Sequence, residues 1–144
     1  MNSIIKISSI LLLLILSACS SSVSYECTYQ DMGENDTLTL RELNGYLIGM
    51  YLHTEVDIYG FDIDIEELKD ELITAEKEYA AKDIEAVLKL DESNMVILSD
   101  FTFDYTNSVK MEGIIDIGID PNDKKTRLMD NVRANLEDLG IFCK

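Results

Sequence analysis

The chain has 144 residues, 28 acidic and 12 basic, for a formal net charge of −16, with 47% hydrophobic residues and no tryptophan. That charge disfavours nucleic acid, whose phosphates would be repelled, and it disfavours electrostatic docking to anionic lipid headgroups. The apolar content is too high for disorder, so the acids are expected to coat a single folded domain long enough to hold its own core.

The chain begins with the layout of a secretory signal: Lys6 as the positive region, Ile10 to Leu16 as the apolar region, and the small residues Ser17 and Ala18 before Cys19. The apolar run falls short of the roughly 20 residues that a membrane-spanning helix needs. Leu16-Ser17-Ala18-Cys19 resembles a bacterial lipobox. That resemblance implies a diacylglyceryl thioether on Cys19, with cleavage before it. Two or more acyl chains hold a protein stably at a membrane surface, where one chain does not. The expected organisation is a signal peptide over residues 1–18, a lipidated cysteine and Ser-rich tether over 19–24, and one domain over 25–144. The protein would then sit on the extracytoplasmic side, at the outer face of the plasma membrane or in the outer membrane of a two-membrane bacterium. By the same resemblance Ser20 favours the outer membrane.

Cys27 and Cys143 remain, one near each end of the folded part. An even pair in an exported chain reads as a disulfide, with two free thiols or a metal pair as alternatives. No histidine or further cysteine lies at metal-ligand spacing from either, which disfavours zinc.

Residues 26–30 read as a first strand, 31–36 as a turn, and 37–43 as an alternating second strand. Asn44-Gly45 is the strongest hairpin signal, because both residues tolerate positive φ. A long strand follows over 46–57, with Ile48, Met50, Leu52 and Val56 expected on one face and Leu47, Tyr51, His53 and Glu55 on the other. From Asp64 the period turns helical: Ile65, Leu68, Leu72, Ala75 and Tyr79 share a stripe, Asp64 and Glu67 make a capping pair, and the helix should end near Ala81 or Lys82. Residues 85–91 and 95–105 alternate again around a turn at 92–94, and 106–119 read as irregular. Pro121 is expected to open a last helix capped by Asp120, with Leu128, Val132, Leu136 and Leu139 as its stripe and Gly140 as its stop. The tail "IFCK" is extended. The order β-β-β-α-β-β-α implies an α+β fold, an antiparallel sheet of meander hairpins with helices packed on one face.

A lipobox, a first strand with a cysteine, a middle helix between two antiparallel regions, and a last helix ending in "LEDLGIFCK" together resemble the small YehR-type lipoproteins of bacteria. The resemblance supports the fold and the pairing of Cys27 with Cys143. It implies no activity.

No G-x-S-x-G, Gly-rich phosphate loop or H-E-x-x-H is present, and His53 is the single histidine, so no enzyme and no cofactor is expected. His53 reads as a surface residue of a strand. Asp57, Asp62, Asp64, Glu66 and Glu67 form an acidic knot of the oxygen-ligand kind that calcium selects. The EF-hand spacing fails, and a helix cap with a favourable first turn explains the same residues. Asp120 and Asp123 read likewise. Three functional readings follow: an interaction module recognising an envelope protein, a peptide or a glycan, a structural or accessory subunit of an envelope complex, and a hydrolase of unfamiliar type. An exposed aromatic patch of Tyr46, Tyr51 and Tyr59 would favour the first.

Overall fold

The computed structural model describes residues 21–107, 118–120 and 123–144. Among them the chain forms β1 (Val23–Asp31), β2 (Glu34–Leu43), β3 (Tyr46–Asp57), α1 (Ile65–Ala81), β4 (Glu85–Asp91), β5 (Val96–Asp104), α2 (Met129–Asp138) and β6 (Phe142–Cys143). The strands make one six-stranded antiparallel sheet in the order β4-β5-β3-β2-β1-β6. The fold class is therefore α+β, with both helices on one face.

Register explains the core. One row across the inner face runs Ala86, Phe101, Leu52, Leu38, Cys27, Cys143, and the next runs Phe103, Met50, Leu40, Tyr25. Side chains two apart on a strand share a face, so alternation in the sequence becomes these continuous apolar rows. Val132 and Leu136 of α2 are fully buried against them. Each such Leu or Phe contributes about 1.5 to 3 kcal/mol by leaving water.

The long third strand departs from strict alternation. Arg41 pairs with Gly49 but Glu42 with Leu47, so Ile48 is an extra residue on β3. Such a bulge reverses the facing of everything before it. Leu47 is consequently buried in the core, and Ile48, expected inward, is only half-buried. The Asn44-Gly45 turn is as expected, with φ of 54° and 82°.

Three boundaries also differ. β1 starts at Val23, because Val23 and Ser24 pair with Glu42 and Arg41 even though their side chains bury nothing, so the folded part begins inside the expected tether. The first turn shortens to Met32 and Gly33. The last helix does not start from Asp120; Pro121 itself lies outside the described residues. A 3₁₀ turn at Lys124–Arg127 comes first, capped by Asp123, which accepts from Lys125 N at 2.9 Å. Leu128 is then extended, bridging to Tyr46, and Met129 N donates to Gly45 O at 2.9 Å. That bridge to the sheet interrupts any continuous helix, and α2 begins only after it. Gly140, at φ 80°, ends α2 in the left-handed conformation expected of it. The expected irregular stretch over 106–119 lies mostly outside the described residues.

Helix α1 spans the residues expected and is capped by Asp64, but none of its stripe is fully buried. It lies over the margin of the sheet, where Tyr79 meets Phe101 edge-on at 5.2 Å and Glu76 accepts the Leu88 backbone N–H at 2.6 Å. That carboxylate occupies a donor on the free edge of β4, which would otherwise be open to another strand.

Candidate functional site

Cys19 lies outside the described residues. Cys27 and Cys143 stand opposite one another on β1 and β6, with sulfurs 2.00 Å apart and Cα atoms 3.9 Å apart, closer than the usual 4.4 to 6.8 Å. The C-terminal tail thus lies beside the first strand.

The acidic knot is dispersed along a loop and a helix start. Asp64 accepts from Glu66 N at 3.0 Å and Glu67 N at 3.1 Å, and Asp57 accepts from Tyr59 N at 2.8 Å. Glu66 pairs with Lys69 at 2.9 Å. Among the described residues no three of His, Cys, Asp or Glu come together as metal ligands. The expected aromatic patch is not formed either. Tyr46 lies under Lys124 at one end of the sheet, Tyr51 is on the outer face, and Tyr59 is in the loop after β3 at the opposite end.

That opposite end carries the feature the sequence did not flag. The β1–β2 turn, the loop from Asp57 to Asp64, and the β4–β5 turn are bonded to one another. Asp57 N donates to Gly33 O at 2.7 Å, Ile58 N to Met95 O at 2.9 Å, and Lys69 bridges to Glu92 at 2.7 Å. Ile58 is buried beneath them. On this joined platform Met32 is 99% exposed, Tyr59 79% and Phe61 68%. Met32, Val56, Ile58, Phe61 and Ile63 line a groove of about 330 Å³, bordered by Glu34 and Asp57. Large apolar side chains are thus grouped on a braced surface rather than scattered singly. The signal was present in "QDMGE" and "IYGFDI": an apolar residue beside a turn glycine in each, which alternation counting passes over because neither belongs to a periodic run.

The outer face of the sheet carries a second polar arrangement. The Tyr51 hydroxyl donates to Asp100, whose Oδ1 lies 2.7 Å from His53 Nδ1, while His53 Nε2 lies 3.3 Å from Glu55. The bond to Asp100, reinforced by Glu55, holds His53 above its usual pKa; the Tyr51 and His53 bonds hold the Asp100 carboxyl below its own. His53 is therefore a bonded residue between carboxylates and not a bare surface histidine. None of Tyr51, His53, Glu55 and Asp100 lines the groove at the loop end.

No protein-family model and no curated protein matches the sequence. Among solved structures, the Escherichia coli YehR protein matches with a TM-score of 0.65 at 13% identity, over 87% of this chain and 92% of that one. A protein of Streptococcus pneumoniae TIGR4 matches at a TM-score of 0.45 and 15% identity, over 85% and 76%. The chain has a YehR-like fold.

Proposed function

We propose that this protein is an exported bacterial lipoprotein of the YehR type, held on the extracytoplasmic membrane surface by acyl chains on Cys19, and that its domain is a non-catalytic interaction module. One observation carries the reading. β1 enters the sheet at Val23, close in sequence to Cys19, and leaves it at Asp31, where the apolar platform begins. Its nine residues span roughly 26 Å at about 3.3 Å per step. The interaction surface is then at the far end of the domain from the anchor, presented away from the membrane.

The test has two arms in intact cells. An alkynyl fatty acid should label the wild type and not Cys19→Ser; equal labelling would remove the anchor from the reading. A photo-crosslinking residue at Phe61 should give discrete adducts, and one at Thr39 on the outer sheet face should not. Adducts at Thr39 alone would favour the accessory-subunit reading, for which the outer face of the sheet, carrying neither of the described helices, is the supporting feature.

A further inference from the structure

We infer that the groove at the loop end receives a basic, apolar polypeptide segment: one or two large apolar side chains seated among Met32, Ile58 and Phe61, with flanking lysines or arginines against the surrounding carboxylates. This rests on the interaction reading above and names the partner class for it. Glu34 and Asp57 line the groove, Asp31, Asp62 and Asp64 are sequence neighbours of its lining residues Met32, Phe61 and Ile63, and among the described residues no salt bridge reaches any of the five. One register step further along the same face as Glu34, Asp36 has a buried carboxylate oxygen without a hydrogen-bond partner. Burial and the nearby Glu34 raise the Asp36 pKa.

Other occupants fit less well. A second copy would bring the same carboxylates to the same place on a chain of net charge −16, and like charges facing one another oppose that contact. An anionic bilayer is repelled for the same reason, and the anchor end would already occupy the adjacent one. A neutral apolar segment would fill the groove but leave the acidic border without a counter-charge. A basic segment satisfies both features, with the apolar residues supplying affinity and the charges supplying approach and selectivity.

The experiment uses the full-length protein in phosphatidylcholine nanodiscs, empty nanodiscs as the blank, and four fluorescent twelve-residue synthetic peptides. One has two Leu-Phe anchors flanked by lysines, one the same anchors flanked by glutamates, one the anchors flanked by glutamines, and one the lysines with serines replacing the anchors. The lysine–anchor peptide should bind at least about tenfold tighter than each of the other three, and should weaken as salt rises. Met32→Ser with Phe61→Ser should lower its affinity by about tenfold, because both side chains are exposed and their loss leaves the fold intact. Glu34→Gln, Asp57→Asn and Asp62→Asn together should abolish the preference for lysine over glutamine flanks while leaving the glutamine peptide's affinity unchanged.

Equal binding of the lysine and glutamine peptides would overturn the basic partner and leave the interaction module standing. Equal binding with serines in place of the anchors would show attraction to a polyanion only, and also overturns it. A dimer lost in Phe61→Ser would assign the groove to a second copy. No binding by any peptide sinks the inference, while the module itself is judged separately by the Phe61 crosslinks in cells.

Discussion

Removing the covalent link between Cys27 and Cys143 gives a perturbation whose size follows from chain length. The two residues are 116 apart, and the chain-entropy relation gives about 4.8 kcal/mol for closing a loop of that size in the unfolded chain. The folded state sets how much of this appears. β6 has two residues and Cys143 is the penultimate one, so without the bond the tail is kept mainly by Lys144 N to Glu26 O at 2.9 Å, Ile141 N to Leu136 O at 2.8 Å, and its short pairing with β1. If the tail then frays, the folded state regains some entropy and the loss is smaller. We expect about 3 to 4 kcal/mol. Cys27→Ala with Cys143→Ser is the suitable variant, since a serine hydroxyl at the fully buried position 27 would add its own penalty. In urea, followed by circular dichroism, the midpoint should fall by about 2 M and the slope should rise, because the unlinked unfolded chain exposes more surface, and reduction of the parent should reproduce both. A fall under about 0.5 M, or two reactive thiols in exported protein under denaturing, non-reducing conditions, would refute the link.

The pH dependence of the outer face has a definite sign. His53 is raised above its unfolded value, so its contribution is complete below about pH 6.5 and is lost as pH rises through the folded pKa. Asp100 is lowered, so its contribution is present above about pH 3.9 and is lost as pH falls through its folded pKa. The difference in unfolding free energy between wild type and His53→Gln should thus be larger at pH 5.5 than at pH 8.5, and a flat difference would contradict the bonded arrangement. Asp64→Ala should cost about 1 kcal/mol by leaving two helix N–H groups without their acceptor, with Asp64→Asn nearly neutral. Added calcium should leave the melting temperature of wild type and Asp64→Asn alike unchanged; a rise of several degrees would return the acidic knot to consideration as a cation site. Phe103→Ala, in the middle of the inner face, should cost about 3 to 5 kcal/mol in the same urea assay.

What could be read from the sequence follows the range of the forces involved. The Asn44-Gly45 turn and the Asp64 cap act over two to four residues and stand in the sequence with their structural meaning attached. The bulge at Ile48 does not, because it depends on how β3 registers against β2, and a one-residue slip there exchanges Leu47 for Ile48 in the core. The start of α2 was hidden for a related reason. Leu128 is drawn out of helical geometry by a bridge to Tyr46, a residue more than eighty positions earlier. The pairing of β5 with β3 is likewise non-local: the second hairpin attaches along the free side of the meander, and no residue in either hairpin says so. The groove escaped periodicity because Met32 and Phe61 lie in different turns and meet only when Gly33 O and Asp57 N are joined.

Net charge alone argued against any approach to an anionic surface, yet several cations stand near the start of β1, interleaved with acids such as Glu42 and Asp130. At the end where β1 begins, Arg133 lies over the Tyr25 ring at 5.5 Å, Lys124 over Tyr46 at 4.3 Å, and Arg127 donates to Tyr105 O at 2.6 Å. Arg41 pairs with Ser24 in the same region. At the other end stand Asp31, Glu34, Asp57, Asp62 and Asp64, and among the described residues no cation is paired to any of them. If acyl chains on Cys19 place the first end at a bilayer with anionic headgroups, its interleaved cations moderate the repulsion there, whereas the carboxylates of the other end stand well beyond the Debye length of about 8 Å. That separation would leave the acidic border of the apolar platform unaffected by the lipid. A basic segment approaching from outside would then meet that border before the rest of the domain, which is how charge steers an encounter that apolar contacts afterwards hold.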